Sequence, residues 1–157
     1  MSTLYMVATP IGNLSDMSDR VRETLKIVDL VLCEDTRVTS KLLARADIAV
    51  PLKSFHQHTD AKEFQKVINL LLEGKNIAFV TDAGTPAISD PGGKLVEEVV
   101  RALGQTVRIS PIPGPSAVTA ALSVSGFPAD EFLFLGFVPQ KKGRHAFFER
   151  IRDSKST

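Results

Sequence analysis

Apolar residues along the chain alternate between two spacings. Leu4–Ala8, Leu30–Cys33 and Ile77–Thr81 are short, nearly unbroken apolar runs of the length and composition of buried strands, and Val107–Ser110 is a further strand candidate. A briefer run, Leu52–Phe55, follows the break at Pro51. Between these runs the apolar positions fall three and four apart. Val21, Leu25 and Val28 share one helical face, preceded by Ser and Asp suited to an N-cap, and Thr39–Ala46 predicts a short helix. Phe64, Val67, Ile68 and Leu71 form the clearest face, opened by Asp60 and Glu63 at capping-box spacing and closed by Gly74. Leu95, Val96, Val99, Val100 and Leu103 form another, stopped by Gly104, and an Ala-rich helix is predicted over Ser116–Val124.

Strands alternating with helices place the chain in the α/β class, with a mostly parallel sheet flanked by helices. In such sheets ligands bind in the crevice outside the carboxyl ends of the strands. The three most unusual loops, 9–15, 82–93 and 111–117, all follow strands and are predicted to converge on that edge. After Gly126-Phe127-Pro128 the pattern changes. Phe132, Phe134 and Phe137 lie in a strand-like run ending at Pro139, followed by a basic helix. One strand and one helix cannot bury their own faces. Residues 1–125 are therefore expected to form an N-terminal α/β domain and 126–157 to open a second, whose remainder lies outside the chain. The Phe-rich surface over 132–148 predicts self-association, as a homodimer.

Composition narrows the setting. Cys33 is the single cysteine, which excludes an intrachain disulfide and points to a reducing compartment. No apolar run approaches the ~20 residues a bilayer demands, and the start of the chain lacks a basic signal-peptide region, so a soluble, cytoplasmic protein with no membrane contact is expected. The net charge of +1 conceals an asymmetry. Lys141, Lys142, Arg144, Arg150, Arg152 and Lys155 outnumber Glu149 and Asp153 near the end of the chain, while the rest is acidic. That segment is either a solvated face or an electrostatic footprint for phosphate.

The common nucleotide-binding signatures G-x-x-x-x-G-K-[ST] and G-x-G-x-x-G are missing, which argues against a P-loop NTPase or an ordinary dinucleotide enzyme. His56 and His58 lack partners at a metal-ligand spacing, so no metal is expected; on extended chain they share one side, as a polar edge or an RNA contact. The loop Asp82–Gly93 combines Gly84, Gly92 and Gly93 with Pro86 and Pro91, a stiff path that permits close backbone approach to a ligand. Pro113-Gly114-Pro115-Ser116-Ala117 ends a strand and starts a helix with small side chains, which admits a flat group such as adenine. Glu34 emerges from a buried run at the carboxyl edge, with Asp35 and Arg37 beside it. These three are either catalytic, with a carboxylate as proton acceptor, or an ion-pair cluster holding a loop.

Taken in order, Val7-Ala8-Thr9-Pro10-Ile11-Gly12-Asn13-Leu14, Cys33-Glu34-Asp35-Thr36-Arg37, Ser54-Phe55-His56-Gln57-His58, the Asp82–Gly93 loop, Pro113–Ala117 and Phe132-Leu133-Phe134-Leu135-Gly136-Phe137 carry a resemblance across essentially the whole chain. The sequence resembles the bacterial 16S ribosomal RNA cytidine-2′-O-methyltransferases, of the tetrapyrrole-methylase fold. The resemblance implies methyl transfer from S-adenosyl-L-methionine to RNA of the 30S subunit, and a cofactor cleft between two domains. It implies Pro10, Ala83, Gly84, Thr85, Ile88, Ser116 and Ala117 as cofactor contacts and Glu34 at the place of an active-site carboxylate; with an RNA substrate, the edge pair His56 and His58 and the basic residues Lys141, Lys142 and Arg144 are the expected RNA contacts. Members are nearly twice as long, so the chain alone is expected to be inactive. Where related tetrapyrrole methylases have Gly-Asp after the first-strand proline, this chain has Gly12-Asn13, and a carboxylate is lost there. Two rivals stay open, a same-fold methylase of a tetrapyrrole or diphthine-type substrate and a non-catalytic ligand-binding module.

Overall fold

The computed structural model describes residues 1–57 and 59–154. Five strands, β1 (Thr3–Val7), β2 (Leu30–Cys33), β3 (Leu52–Ser54), β4 (Ile77–Val80) and β5 (Arg108–Ile112), form one parallel sheet in the order β3-β2-β4-β1-β5. The helices are α1 (Asp19–Ile27), α2 (Thr36–Arg45), α3 (Ala61–Leu72), α4 (Gly92–Leu103), α5 (Ala117–Val124) and α6 (Arg144–Arg152). The chain divides into two compact units, Met1–Ser116 and Ala117 onward.

Within the first unit the strict alternation of strand side chains builds two cores. Leu4, Met6, Leu32, Ile77 and Phe79 point to one face and meet α3 and α4 through Phe64, Val67, Leu71, Leu95 and Val99. Val7, Val31, Cys33, Ala78 and Val80 point to the other and meet α1 and α2 through Val21, Leu25 and Leu43. Leu4, Leu25, Leu32, Phe79 and Leu95 are completely covered, each contributing roughly 1.5–3 kcal/mol by burial. Phe55, just past β3, stacks edge-on against Phe64 at 4.9 Å and Phe79 at 6.0 Å, tying the short edge strand to the α3–α4 face.

Several elements differ from the sequence expectation. The strand expected over Val107–Ser110 runs on through Pro111 to Ile112, which a proline permits because β5 is an edge strand. The helix expected from Thr39 starts at Thr36, because Asp35 caps it by accepting the Arg37 N–H at 2.8 Å. Asp60 caps α3 by accepting the Glu63 N–H at 2.9 Å. The Glu63 carboxylate turns to Lys53 and Lys66, which hold its pKa down to about 2, so the capping box is half made.

The second unit holds α5 and α6. Phe132, Phe134 and Phe137 lie in irregular, exposed chain and form no strand, which corrects the strand-like reading of that run. Strand geometry needs a neighbouring ladder, and among the described residues of this unit no strand supplies one.

Candidate functional site

Sheet register levels the carboxyl edge. Val7 stands opposite both Val80 and Ile112, and Cys33 opposite Val80, so four adjacent strands end in one row. The segments leaving β1, β2, β4 and β5 therefore start side by side, at Ala8, Glu34, Thr81 and Pro113.

Three of these segments are bonded to one another. The Thr9 N–H donates to the Gly84 carbonyl at 3.0 Å, and the Gly84 N–H donates back to the Thr9 carbonyl at 3.1 Å. The buried Thr9 hydroxyl donates to the Thr81 carbonyl at 3.2 Å, and the Thr81 hydroxyl to the Gly84 carbonyl at 3.3 Å. On the other side the Thr85 hydroxyl donates to the Pro115 carbonyl at 3.0 Å. A Cβ on Gly114 would lie 2.9 Å from the Ala8 Cβ, so the β5 loop approaches β1 as closely as only glycine allows. The rim is thus a rigid, bonded backbone surface that exposes Ala83, Thr85, Ile88 and Ile11, with Pro10 half-buried beside them. Ser116 ends the first unit, and Ala117, exposed, opens α5 in the second.

Next along the edge is an acidic corner. Glu34, half-buried, lines a cavity of about 290 Å³ with Gln57, Ser89, Asp90 and Pro91. Burial, and then the nearby charges of Asp82 and Asp90, push the Glu34 carboxyl above the ordinary glutamate value, while the Asp82 N–H partly offsets this by donating to it. Its neighbour behaves oppositely. Asp35 caps α2 and is gripped by the Arg37 guanidinium, with Nη2 at 2.6 Å and Nε at 3.0 Å. Hydrogen bonds from the Arg37 side chain and N–H hold the Asp35 carboxyl far below the usual range. The Glu34–Arg37 string therefore divides into one proton-prone carboxyl on a cavity and one carboxylate committed to a helix start.

The remaining candidates are spread out. His56 is exposed, its N–H donating to the Thr59 hydroxyl at 2.9 Å, and His58 lies outside the described residues. Lys141, Lys142 and Arg144 are exposed in the second unit, where the Arg144 guanidinium sits 5.5 Å from the Phe148 ring; Lys155 also lies outside the described residues. Among the described residues no three His, Cys, Asp or Glu side chains are grouped to hold a metal, and no helix is long and apolar enough to cross a membrane. Sequence reasoning passed over Asp90 and the hydroxyls of Thr9 and Thr81. The signal for Asp90 was present, an aspartate directly before a proline at a helix start.

The chain has recognisable relatives in sequence and in fold. Residues 3–156 match the family described as Tetrapyrrole (Corrin/Porphyrin) Methylases. The chain is similar to Ribosomal RNA small subunit methyltransferase I of Halalkalibacterium halodurans, 48% identical over 99% of the chain and 53% of the relative. The protein of the same name from Thermotoga maritima is 46% identical over 97% of the chain and 67% of the relative. The chain thus spans between about half and two thirds of these relatives' length. The crystal structure of uroporphyrin-III-C-methyltransferase from Thermus thermophilus shares the fold, with a TM-score of 0.58 and 22% identity over 83% of this chain and 55% of that one.

Proposed function

Because the chain belongs to the family of Tetrapyrrole (Corrin/Porphyrin) Methylases, we propose that its rim binds S-adenosyl-L-methionine and serves methylation of a cytidine 2′-hydroxyl in 16S ribosomal RNA. The single observation that carries this reading is the bonded convergence of the β1, β4 and β5 loops beside the acidic corner. The residues fit such a donor chemically. Exposed Ile11 and Ile88 offer apolar contact to an adenosyl group, and Glu34, Asp82 and Asp90 concentrate negative charge where a sulfonium and an ammonium are to be held.

S-adenosyl-L-methionine held there would supply an electrophilic methyl group on its sulfonium, with a neutral thioether as the leaving group. The chain's own work is to hold the partners in line and to receive a proton. Ala83, Gly84, Thr85, Ile88, Pro10, Ser116 and Ala117 are the proposed cofactor contacts. Glu34 is the proposed proton acceptor: in its ionised form it takes the ribose hydroxyl proton as the oxygen bonds to the methyl group, a role typically worth ~10²–10⁴-fold. Asp35 and Arg37 place Glu34 by fixing the start of α2. His56, Lys141, Lys142 and Arg144 are proposed to meet the RNA, with phosphate contacts carrying affinity.

The same reading takes residues 126–157 as the opening of a second α/β domain, the homodimer as the working form and the cytoplasm, where ribosomes are assembled, as the setting. Thr85→Arg tests the rim. It breaks the bond to Pro115 and projects a long cation into the proposed site, so calorimetry should show S-adenosylmethionine affinity reduced at least tenfold with the circular dichroism unchanged. Wild-type affinity in that variant would move the cofactor elsewhere.

A further inference from the structure

The loop from β4 to α4 holds two non-glycine residues in the left-handed region, Ala87 at φ 70° and Ser89 at φ 65°. L-residues avoid this region because Cβ crowds the following carbonyl oxygen. Two such residues within three positions persist only where the surroundings over-determine the path. Much of that determination comes from one side chain. Asp90 accepts the Ile88 N–H on Oδ2 at 2.9 Å and the Gly92 N–H on Oδ1 at 2.7 Å. One carboxylate thereby ties the residue between the two strained positions to the first turn of α4.

That turn is itself anchored. Gly92 is buried, and a Cβ there would fall 2.7 Å from Phe79 Cε1, 2.8 Å from Asp90 Oδ1 and 3.0 Å from Met6 Cε. Glycine lets the helix start press directly onto the β4 and β1 side chains, and the Asp90 carboxylate fits into the same gap. The core thus reaches the rim through Phe79, Gly92, Asp90 and Ile88.

We propose that Asp90 is a positioning residue of the methyl-donor rim, its carboxylate clamping Ile88 to the start of α4 so that the loop holds its ligand-facing conformation. This rests on the reading of that rim as the cofactor site. The clamp also has an electrostatic consequence. Among the described residues, the charges facing Glu34 are those of Asp82 and Asp90, both on the β4–α4 loop; the other cavity-lining residues, Gln57, Ser89 and Pro91, are neutral, and Asp35 is engaged by Arg37. Asp90 therefore shapes the loop and helps to set the protonation of Glu34.

Asp90→Asn separates this role from a merely structural one, because asparagine keeps the volume and one acceptor oxygen but neither the charge nor the second acceptor. Three quantities are read on the folded protein: amide exchange at Ile88 and Gly92, the Glu34 carboxyl titration by carbon-13 NMR, and S-adenosylmethionine affinity by calorimetry. In the variant, at least one of the two amides should exchange at least tenfold faster, Glu34 should titrate at lower pH, and affinity should fall at least tenfold. Asp90→Ala should release both amides. If that variant fails to fold, Asp90→Asn still decides. Exchange and Glu34 titration both unchanged in Asp90→Asn would overturn the proposal, as would wild-type cofactor affinity with the amides released. A wild-type protein that takes up no S-adenosylmethionine would instead overturn the cofactor reading, and the exchange and titration would still decide whether Asp90 is the clamp.

Discussion

Thr9 and Gly84 exchange both backbone hydrogen bonds, at 3.0 and 3.1 Å, and so form an antiparallel bridge between two loops that leave parallel strands. The bridge requires Gly84 at φ +90°, a conformation that side chains rarely adopt. Gly84→Ala should therefore cost roughly 1–2 kcal/mol through the left-handed backbone, seen as a lower urea midpoint with an unchanged slope. It should also weaken cofactor binding, because the β1 and β4 loops would part. An unchanged midpoint would show that the bridge tolerates a side chain.

Glu34 gives a pH signature opposite to that of an ordinary structural carboxylate. Its folded-state pKa is raised above the ordinary 4.5, so the folded protein holds this proton more tightly than the unfolded chain. Stability is consequently lost as pH rises from the ordinary value through the raised one. Glu34→Gln should be more stable than the wild type at pH 7, and the difference should fade below the ordinary value. Thermal unfolding of the two proteins between pH 3 and pH 8 measures it. A variant less stable at neutral pH would mean that Glu34 is held by favourable partners and is no strained functional group.

Asp35 should show the reverse. Its folded pKa is depressed below 3.8 by Arg37, so its contribution is present at neutral pH and disappears as pH falls through the depressed value. Asp35→Ala should lower the melting temperature at pH 7, and Asp35→Asn should lower it less, since asparagine caps helices nearly as well. Turnover in Asp35→Asn, which keeps the cap and so the start of α2, should remain within a few fold of the wild type, while Glu34→Gln should lose about 10²-fold or more. Loss of turnover in Asp35→Asn with normal turnover in Glu34→Gln would transfer the proton to Asp35.

The strands and both core faces were legible because burial on two sides leaves nearly continuous apolar runs such as Leu30–Cys33, and the amphipathic period marks α3 and α4. The convergence of the three loops was legible from strand parallelism alone. The division of labour between Glu34 and Asp35 was not, because it depends on which carboxylate the Arg37 guanidinium reaches. The Asp90 clamp was only half legible: an aspartate before a proline marks a helix start, but left-handed Ala87 and Ser89 are unusual, and no local preference announces the path that Asp90 holds. The aromatic run 132–137 misled because a short, nearly continuous apolar stretch has the composition of a buried strand, whereas strand formation needs a neighbouring ladder.

Lys141, Lys142 and Arg144 are exposed, and replacing all three with alanine should weaken binding to 30S particles. The slope of log affinity against log salt should flatten, by ~0.7 for each phosphate of single-stranded RNA that is no longer neutralised. Cofactor affinity should not change. Filter binding across a salt series checks this, and an unaltered slope would make the segment ordinary surface.

The most direct measurement is methyl transfer itself. The intact protein, radiolabelled S-adenosylmethionine and 30S particles are combined, and the RNA is then digested to nucleosides. Label should appear as 2′-O-methylcytidine, and Glu34→Gln should reduce its rate by about 10²-fold or more while cofactor affinity stays near that of the wild type. Label on a base, on protein or nowhere in the RNA, with the cofactor bound, would contradict the assignment of this rim to ribose methylation.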